Sequence, residues 1–282
     1  MSIESTIPES TAATPQARLW EQLGHASELI RTDKPREAVI NLEAALENVR
    51  QTPYEIEFQS RIQLIMTLAD LYYSLDEIPT AVEMLAEEAA FAEKISQIMQ
   101  VTGTPSQKRS ATGGYLQVRD RATQMALLGS FAPEITVKDW IKGTGLTWET
   151  VRGRVVLLEF WATWCKPCQE MFPKLVSLHN EQSANGLEII ALTRHYMAYR
   201  GTPEAMHEEL QLMRRMTEEH GVTFPVGVAG DEKLQATYGA NGLPTVFLID
   251  RKGIVRYAGP GGEEESFKKS LQLCLTESQS GV

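Results

Sequence analysis

Two cysteines two residues apart, Cys165 and Cys168, stand where an apolar run gives way to a helix-forming segment. The run Val155-Val156-Leu157-Leu158-Glu159-Phe160-Trp161 is apolar at consecutive rather than alternating positions, the pattern of a strand buried on both faces. Gln169 to Asn180 has helical character. A cysteine at a helix start meets unpaired backbone N–H groups and the positive end of the helix dipole, and both favour a thiolate over a thiol. Two intervening residues let the sulfurs meet on one helical turn. The pair can therefore alternate between dithiol and disulfide with little backbone movement.

Each residue of this stretch has a chemical reading and a plainer one. Cys165, nearer the exposed helix end, is the expected nucleophile; its thiolate would attack a partner disulfide and form a mixed disulfide. Cys168, one turn inward, would resolve it. The competing use of such a pair is half of a zinc site. A closed zinc site wants four ligands, and beyond the pair the chain offers Cys274 and five scattered histidines, so no metal is expected. Trp164 would shield the sulfurs and contact the partner. Lys166 either helps to stabilise a thiolate or is a solvated side chain at the helix start. Pro167 suits the first helical turn, where its missing N–H costs nothing.

Glu159 interrupts a strand otherwise made of Val, Leu and Phe. A buried, unpaired carboxylate is costly and tends to take up a proton. It is expected to relay a proton to or from Cys168; an ion pair or an exposed face is the alternative. Leu187 to Thr193 reads as the next parallel strand, reached through a crossover helix. Arg194 to Gly201 is aromatic and basic in an acidic chain, and reads as a surface loop or part of a partner groove. A helix over Pro203 to His220 carries Met206, Leu210, Met213 and Met216 on one face. Ile135-Thr136-Val137 and Thr147-Trp148 read as a small edge hairpin before the core, and Cys274 as a packed, non-catalytic thiol.

These residues carry a resemblance. Trp164-Cys165-Lys166-Pro167-Cys168 after an apolar strand resembles the thioredoxin superfamily. Phe131-Ala132-Pro133-Glu134-Ile135, Glu159 to Cys165, Gly242-Leu243-Pro244-Thr245, and Val246 to Gly253 are similar, in that order, to the TlpA/ResA-like branch, also called the AhpC/TSA-redoxin group. The likeness covers roughly residues 126–276. It implies an α/β thioredoxin-like fold, with a central mixed sheet flanked by helices, after an all-α helical-hairpin domain. It implies a thiol-disulfide oxidoreductase, probed at its substrate side by Trp164, Lys166, Pro167, Leu243 and Pro244. It also implies a cis Leu243–Pro244 bond close to the cysteines, leaving the Leu243 backbone free to pair with an extended substrate. Glu159, six residues before Cys165, matches the family's buried acid. The redox-active disulfide would be the only prosthetic device, with no organic cofactor. Expected partners are protein disulfides and thioredoxin reductase or a similar dithiol donor. A peroxiredoxin-type peroxidase is disfavoured, because its Thr or Ser and its Pro are replaced here by Ala162 and Leu158.

The first 125 residues lie outside the resemblance. Residues 1–14 read as a disordered tail, 15–100 as a helical domain, 101–125 as a linker, with a short helix from Leu116 to Leu128 leading into the second domain, and 126–282 as the thioredoxin-like domain. Leu19, Leu23, Ala26 and Ile30 form one apolar stripe, and Ala38, Leu42, Ala45, Leu46 and Val49 the next. A third helix runs about Glu55 to Leu75, with Ile62, Ile65, Leu68, Ala69 and Tyr72 inward, and a fourth about Thr80 to Gln100. Arg36-Glu37-Ala38-Val39 through Leu42 echoes Pro79-Thr80-Ala81-Val82 through Leu85, at a spacing of 43 residues. The echo resembles tetratricopeptide repeats of unusual length; a plain four-helix region is the alternative. Repeats would offer a concave face to a protein partner, so a helical adaptor whose cysteine pair is a redox switch is the second functional reading.

A net charge of −10 and no Lys/Arg run argue against sequence-independent nucleic-acid binding. Met1-Ser2-Ile3-Glu4-Ser5 lacks a basic n-region and an apolar h-region, and no membrane span is expected. A cytoplasmic reductase is the resulting expectation, or a cell-envelope protein if a signal lies upstream.

Overall fold

The computed structural model describes residues 14–143, 145–196, 202–262 and 264–277. Nearly all of the expected tail (1–13) and the second half of the aromatic, basic loop (197–201) lie outside the described residues. The chain divides into two compact units, Met1–Val118 and Arg119–Val282.

The first unit is helical: α1 (Pro15–Arg31), α2 (Pro35–Gln51), α3 (Phe58–Ser74), α4 (Ile78–Thr102) and the first part of α5 (Pro105–Leu127). The Thr14 hydroxyl caps α1 by accepting from the Ala17 N–H at 3.2 Å. Proline in the first turn starts α1, α2 and α4. The expected stripes are buried with one change: on α1, Leu29 rather than Ile30 turns inward. α1 packs on α2, α2 on α3 and α3 on α4. The two echoing turns are built alike. Asp33 and Asp76 both take positive φ, 58° and 62°. Next to them, the Lys34 N–H bonds the Leu29 carbonyl and the Glu77 N–H bonds the Tyr72 carbonyl, at 2.9 and 2.8 Å. Each is the six-residue bond that closes a helix C-terminus.

The expected linker is corrected in its first half: the helix expected from Leu116 begins already at Pro105. Residues 105–127 form one helix, α5, with Ala111, Val118 and Met125 buried. The stretch lacks a strong apolar stripe, and its Gly, Thr and Ser residues read as loop. Tertiary contact overrides that weak propensity. Gly114 shows how: a Cβ there would meet the Phe58 ring at 2.4 Å.

The second unit is α/β. Its elements are β1 (Asp139–Lys142), β2 (Val155–Phe160), α6 (Lys166–Gln182), β3 (Leu187–Arg194), α7 (Pro203–Glu219), β4 (Val226–Ala229), α8 (Lys233–Tyr238), β5 (Thr245–Ile249), β6 (Val255–Gly259) and α9 (Glu265–Thr276). The sheet order is β1-β4-β3-β2-β5-β6. β2, β3 and β4 run parallel, while β1, β5 and β6 are antiparallel to their neighbours. This is the thioredoxin-like mixed sheet with flanking helices.

β2 is buried at every position, as its unbroken apolar run requires. Val156, Leu158 and Phe160 join one core, with Ile190, Leu192, Phe247 and Tyr238. Leu157, Glu159 and Trp161 therefore face the opposite side of the sheet, where Phe172 of α6 meets the Trp161 ring edge-on at 5.1 Å. The expected edge hairpin is not formed. Residues 139–142 instead pair antiparallel with β4, whose outer edge offers a free hydrogen-bond ladder. Trp148 does reach the 133 region, but through its indole N–H, which donates to the Pro133 carbonyl at 2.9 Å.

Candidate active site

Three chain segments meet at one end of the sheet. β2 pairs in parallel with β3 up to Phe160↔Leu192, so both strands finish there. β5 begins there, since Phe160 pairs with Thr245. The turn after β2 carries Trp164 and Cys165, the turn after β3 carries His195 and Tyr196, and the turn before β5 carries Leu243 and Pro244.

Cys165 and Cys168 form a disulfide, with Cα atoms 5.3 Å apart. Cys165 is the N-cap of α6, and its sulfur accepts the Cys168 N–H at 3.3 Å. In the reduced state the same donor and the helix dipole face a Cys165 thiolate. Gln169 braces the turn by donating to the Thr163 carbonyl at 2.8 Å. Cys165 is nearly buried and Cys168 wholly so; Trp164 beside them is 62% exposed. Pro167 lies exposed in the first turn of α6. Lys166 also points to solvent, 3.8 Å from Glu170 on the next turn. That placement supports the solvated reading of Lys166. The Leu243–Pro244 bond is cis, and Leu243 packs partly buried against the core.

Glu159 has no exposed surface, and neither carboxylate oxygen meets a hydrogen-bond partner among the described residues. Burial alone raises its pKa well above the ordinary carboxylate range. Close to it along the sheet, the Trp161 indole N–H and the Thr193 hydroxyl are also buried without a hydrogen-bond partner among the described residues. Trp161 follows Glu159 by two, just past the end of β2, and its backbone N–H donates to the Leu192 carbonyl at 3.0 Å, beside Thr193. These polar groups share the face covered by α6, the helix that carries the cysteines.

One feature escaped sequence reasoning. Tyr196 stands edge-on to Trp164, with ring centroids 5.4 Å apart. Arg194 lies over the Tyr196 ring at 4.3 Å and donates to Gln235 Oε1 at 2.6 Å. Gln235 Nε2 in turn donates to the Tyr196 hydroxyl at 2.6 Å. From α7, buried Glu209 accepts the Tyr196 N–H at 3.0 Å and lies 3.1 Å from His195 Nδ1. The inward line of α7 is Ala205, Glu209, Met213 and Thr217, not the full methionine stripe. An acid in that line reads as surface until its partners are known. Cys274 stays outside the site: burial pushes its thiol up to about 11. Among the described residues, no three His, Cys, Asp or Glu side chains gather as a metal-binding group. No helix among them is long and apolar enough to cross a membrane.

Residues 128–258 match the AhpC/TSA family. The thiol-disulfide oxidoreductase ResA of Geobacillus thermodenitrificans is 33% identical over 146 residues, covering 51% of this chain and 76% of that protein. ResA of Bacillus thuringiensis is 34% identical over 128 residues, covering 45% of this chain and 66% of that protein. The chain thus spans just under two thirds of the Bacillus thuringiensis relative's length. A solved thiol-disulfide isomerase from Corynebacterium glutamicum is 24% identical with a TM-score of 0.43, covering 53% of this chain and 98% of that one.

Proposed function

We propose, since the chain belongs to the ResA-type thiol-disulfide oxidoreductases of the AhpC/TSA family, that it reduces protein disulfides through Cys165 and Cys168. The observation that carries the reading is the cysteine pair at the start of α6, with the Cys165 sulfur on the Cys168 N–H. The Cys165 thiolate attacks one sulfur of the partner disulfide. That bond breaks, a mixed disulfide forms, and the departing partner sulfur takes a proton. Cys168 then gives up its proton and attacks the Cys165 sulfur, releasing the second partner thiol and closing the Cys165–Cys168 disulfide. Two electrons have passed to the partner, and a dithiol donor such as thioredoxin reductase restores the pair.

Glu159 is the proposed proton relay for Cys168: in its carboxylate form it takes the proton as Cys168 attacks, and the neutral form returns it when the disulfide is reduced again. A carboxyl whose pKa burial raises towards that of a thiol, and which lacks a fixed partner, is suited to that exchange. Trp164, Pro167, Leu243 and Pro244 would contact the partner chain, with Lys166 at the solvent rim. No organic cofactor enters this scheme.

The test is trapping on the full chain. Cys168→Ser should accumulate a mixed disulfide with insulin, seen on non-reducing gels, whereas Cys165→Ser should form none and reduce insulin at least about 10³-fold more slowly. Equal trapping by both variants would sink the assignment of Cys165 as nucleophile. A pair potential near about −270 mV supports a reductase, and one near about −120 mV an oxidant.

A further inference from the structure

The C-terminal turns of α5 are fastened to the segment that leads into Leu243 and Pro244. Asp120 is 5% exposed, yet its carboxylate accepts two hydrogen bonds from one residue of that segment. The Asn241 backbone N–H donates to Oδ2 at 3.1 Å and the Asn241 side-chain amide to Oδ1 at 3.0 Å. Arg119 pairs with Oδ1 at 3.1 Å. One turn on, Gln124 Nε2 donates to the Gly239 carbonyl at 2.7 Å. Residues four apart share a helix face, so Asp120 and Gln124 grip the segment at two points from one side. The approach is close. Gly239 has φ +61°, and a Cβ there would lie 2.5 Å from the Asp120 carbonyl oxygen. Asp120 and Gln124 also precede the residues matched to the family, 128–258. This grip is added to the redox domain from the preceding helix.

A charge-assisted bond to a buried carboxylate holds a backbone amide more firmly than a neutral one. A loop that must pair with an incoming chain otherwise loses conformational freedom at the moment of binding, and ordering it beforehand improves affinity. We propose that Asp120 is a positioning residue for partner capture: through Asn241 it sets the Asn241–Pro244 segment in place before a disulfide-bearing chain arrives. This rests on the oxidoreductase reading above.

The experiment compares the full-length protein with Asp120→Asn, which keeps size and shape, and with Asp120→Ala. Amide exchange over 239–243 is read beside that over 155–160. Steady-state kinetics use insulin as substrate and dithiothreitol as electron donor. The expected result is exchange about tenfold faster at 239–243 with 155–160 unchanged, and an insulin KM about fivefold higher with kcat and pair potential unmoved. Unchanged exchange, or a fall in kcat with KM unmoved, overturns the positioning role while leaving the oxidoreductase reading intact. A wild-type protein unable to reduce insulin overturns that reading, and the capture role with it.

Discussion

Two glutamates, one in each unit, are buried to the same degree and used in opposite ways. Glu88 in the helical unit is 1% exposed and Glu159 in the redox unit 0%. Glu88 is fully paired: Arg50 Nε reaches Oε1 at 2.9 Å and Arg61 reaches Oε2 at 2.7 Å. Arg61 also lies over the Phe91 ring at 3.6 Å. Its desolvation is met by two opposite charges, so Glu88 locks α2, α3 and α4 together. Glu159 has no such partner among the described residues, and burial raises its pKa well above the ordinary carboxylate range. The contrast teaches what burial alone does not say. A buried acid with partners is a structural clamp, and one without them is a candidate for the proton exchange proposed above.

The contrast can be broken from either side. The largest effect is expected at the clamp. Glu88→Ala leaves two guanidinium groups without their shared carboxylate, and should lower stability in urea by about 3–5 kcal/mol. A loss below about 1 kcal/mol would show that the clamp contributes little. Next comes Glu159→Gln, which should slow insulin reduction about 10²-fold, the scale of a lost general acid–base group.

The same variant reports on stability against pH. A carboxyl whose pKa is higher folded than unfolded keeps its proton in the native state longer. The Glu159 contribution to wild-type stability is therefore full below the ordinary carboxylate range. It falls by about 1.4 kcal/mol per pH unit as pH rises from there, until pH passes the raised folded pKa. Glu159→Gln should lack that slope, and parallel pH profiles for the two proteins would refute a neutral Glu159. The smallest effect is expected at Lys166, whose charge is solvated. Lys166→Ala should change insulin turnover less than about twofold; a tenfold loss would return Lys166 to the thiolate-stabilising role.

Much of the redox unit is legible in the chain because its signals are local. The consecutive apolar residues of β2, the helix start at Lys166, and Gly-Leu-Pro-Thr before β5 each announce their own conformation. Glu159 is conspicuous for the same reason, as one acid in an apolar run. Less legible are groups whose role depends on partners far along the chain. Glu209 sits in a helix rich in charge, and only its contacts with His195 and Tyr196 mark it as buried. Tyr196 reads as loop until Trp164 and Gln235 are set beside it. The first half of helix α5 is the clearest miss: residues up to Gly114 that read as linker are helical, with neighbours such as Phe58 closing over Gly114.

By itself, the sequence determined that a cysteine pair would begin a helix after a buried strand, and that a single acid would lie within that strand. Spacing and unbroken hydrophobicity suffice for both, since each is fixed by residues a few positions apart. Only the tertiary structure decided which polar groups would meet across the chain. Asp120 finds Asn241, Gln235 finds Tyr196, and Glu88 finds two arginines while Glu159 finds no partner among the described residues. A hydrogen bond is directional and short-ranged, so its partner is settled by packing and leaves no periodic trace in the order of residues.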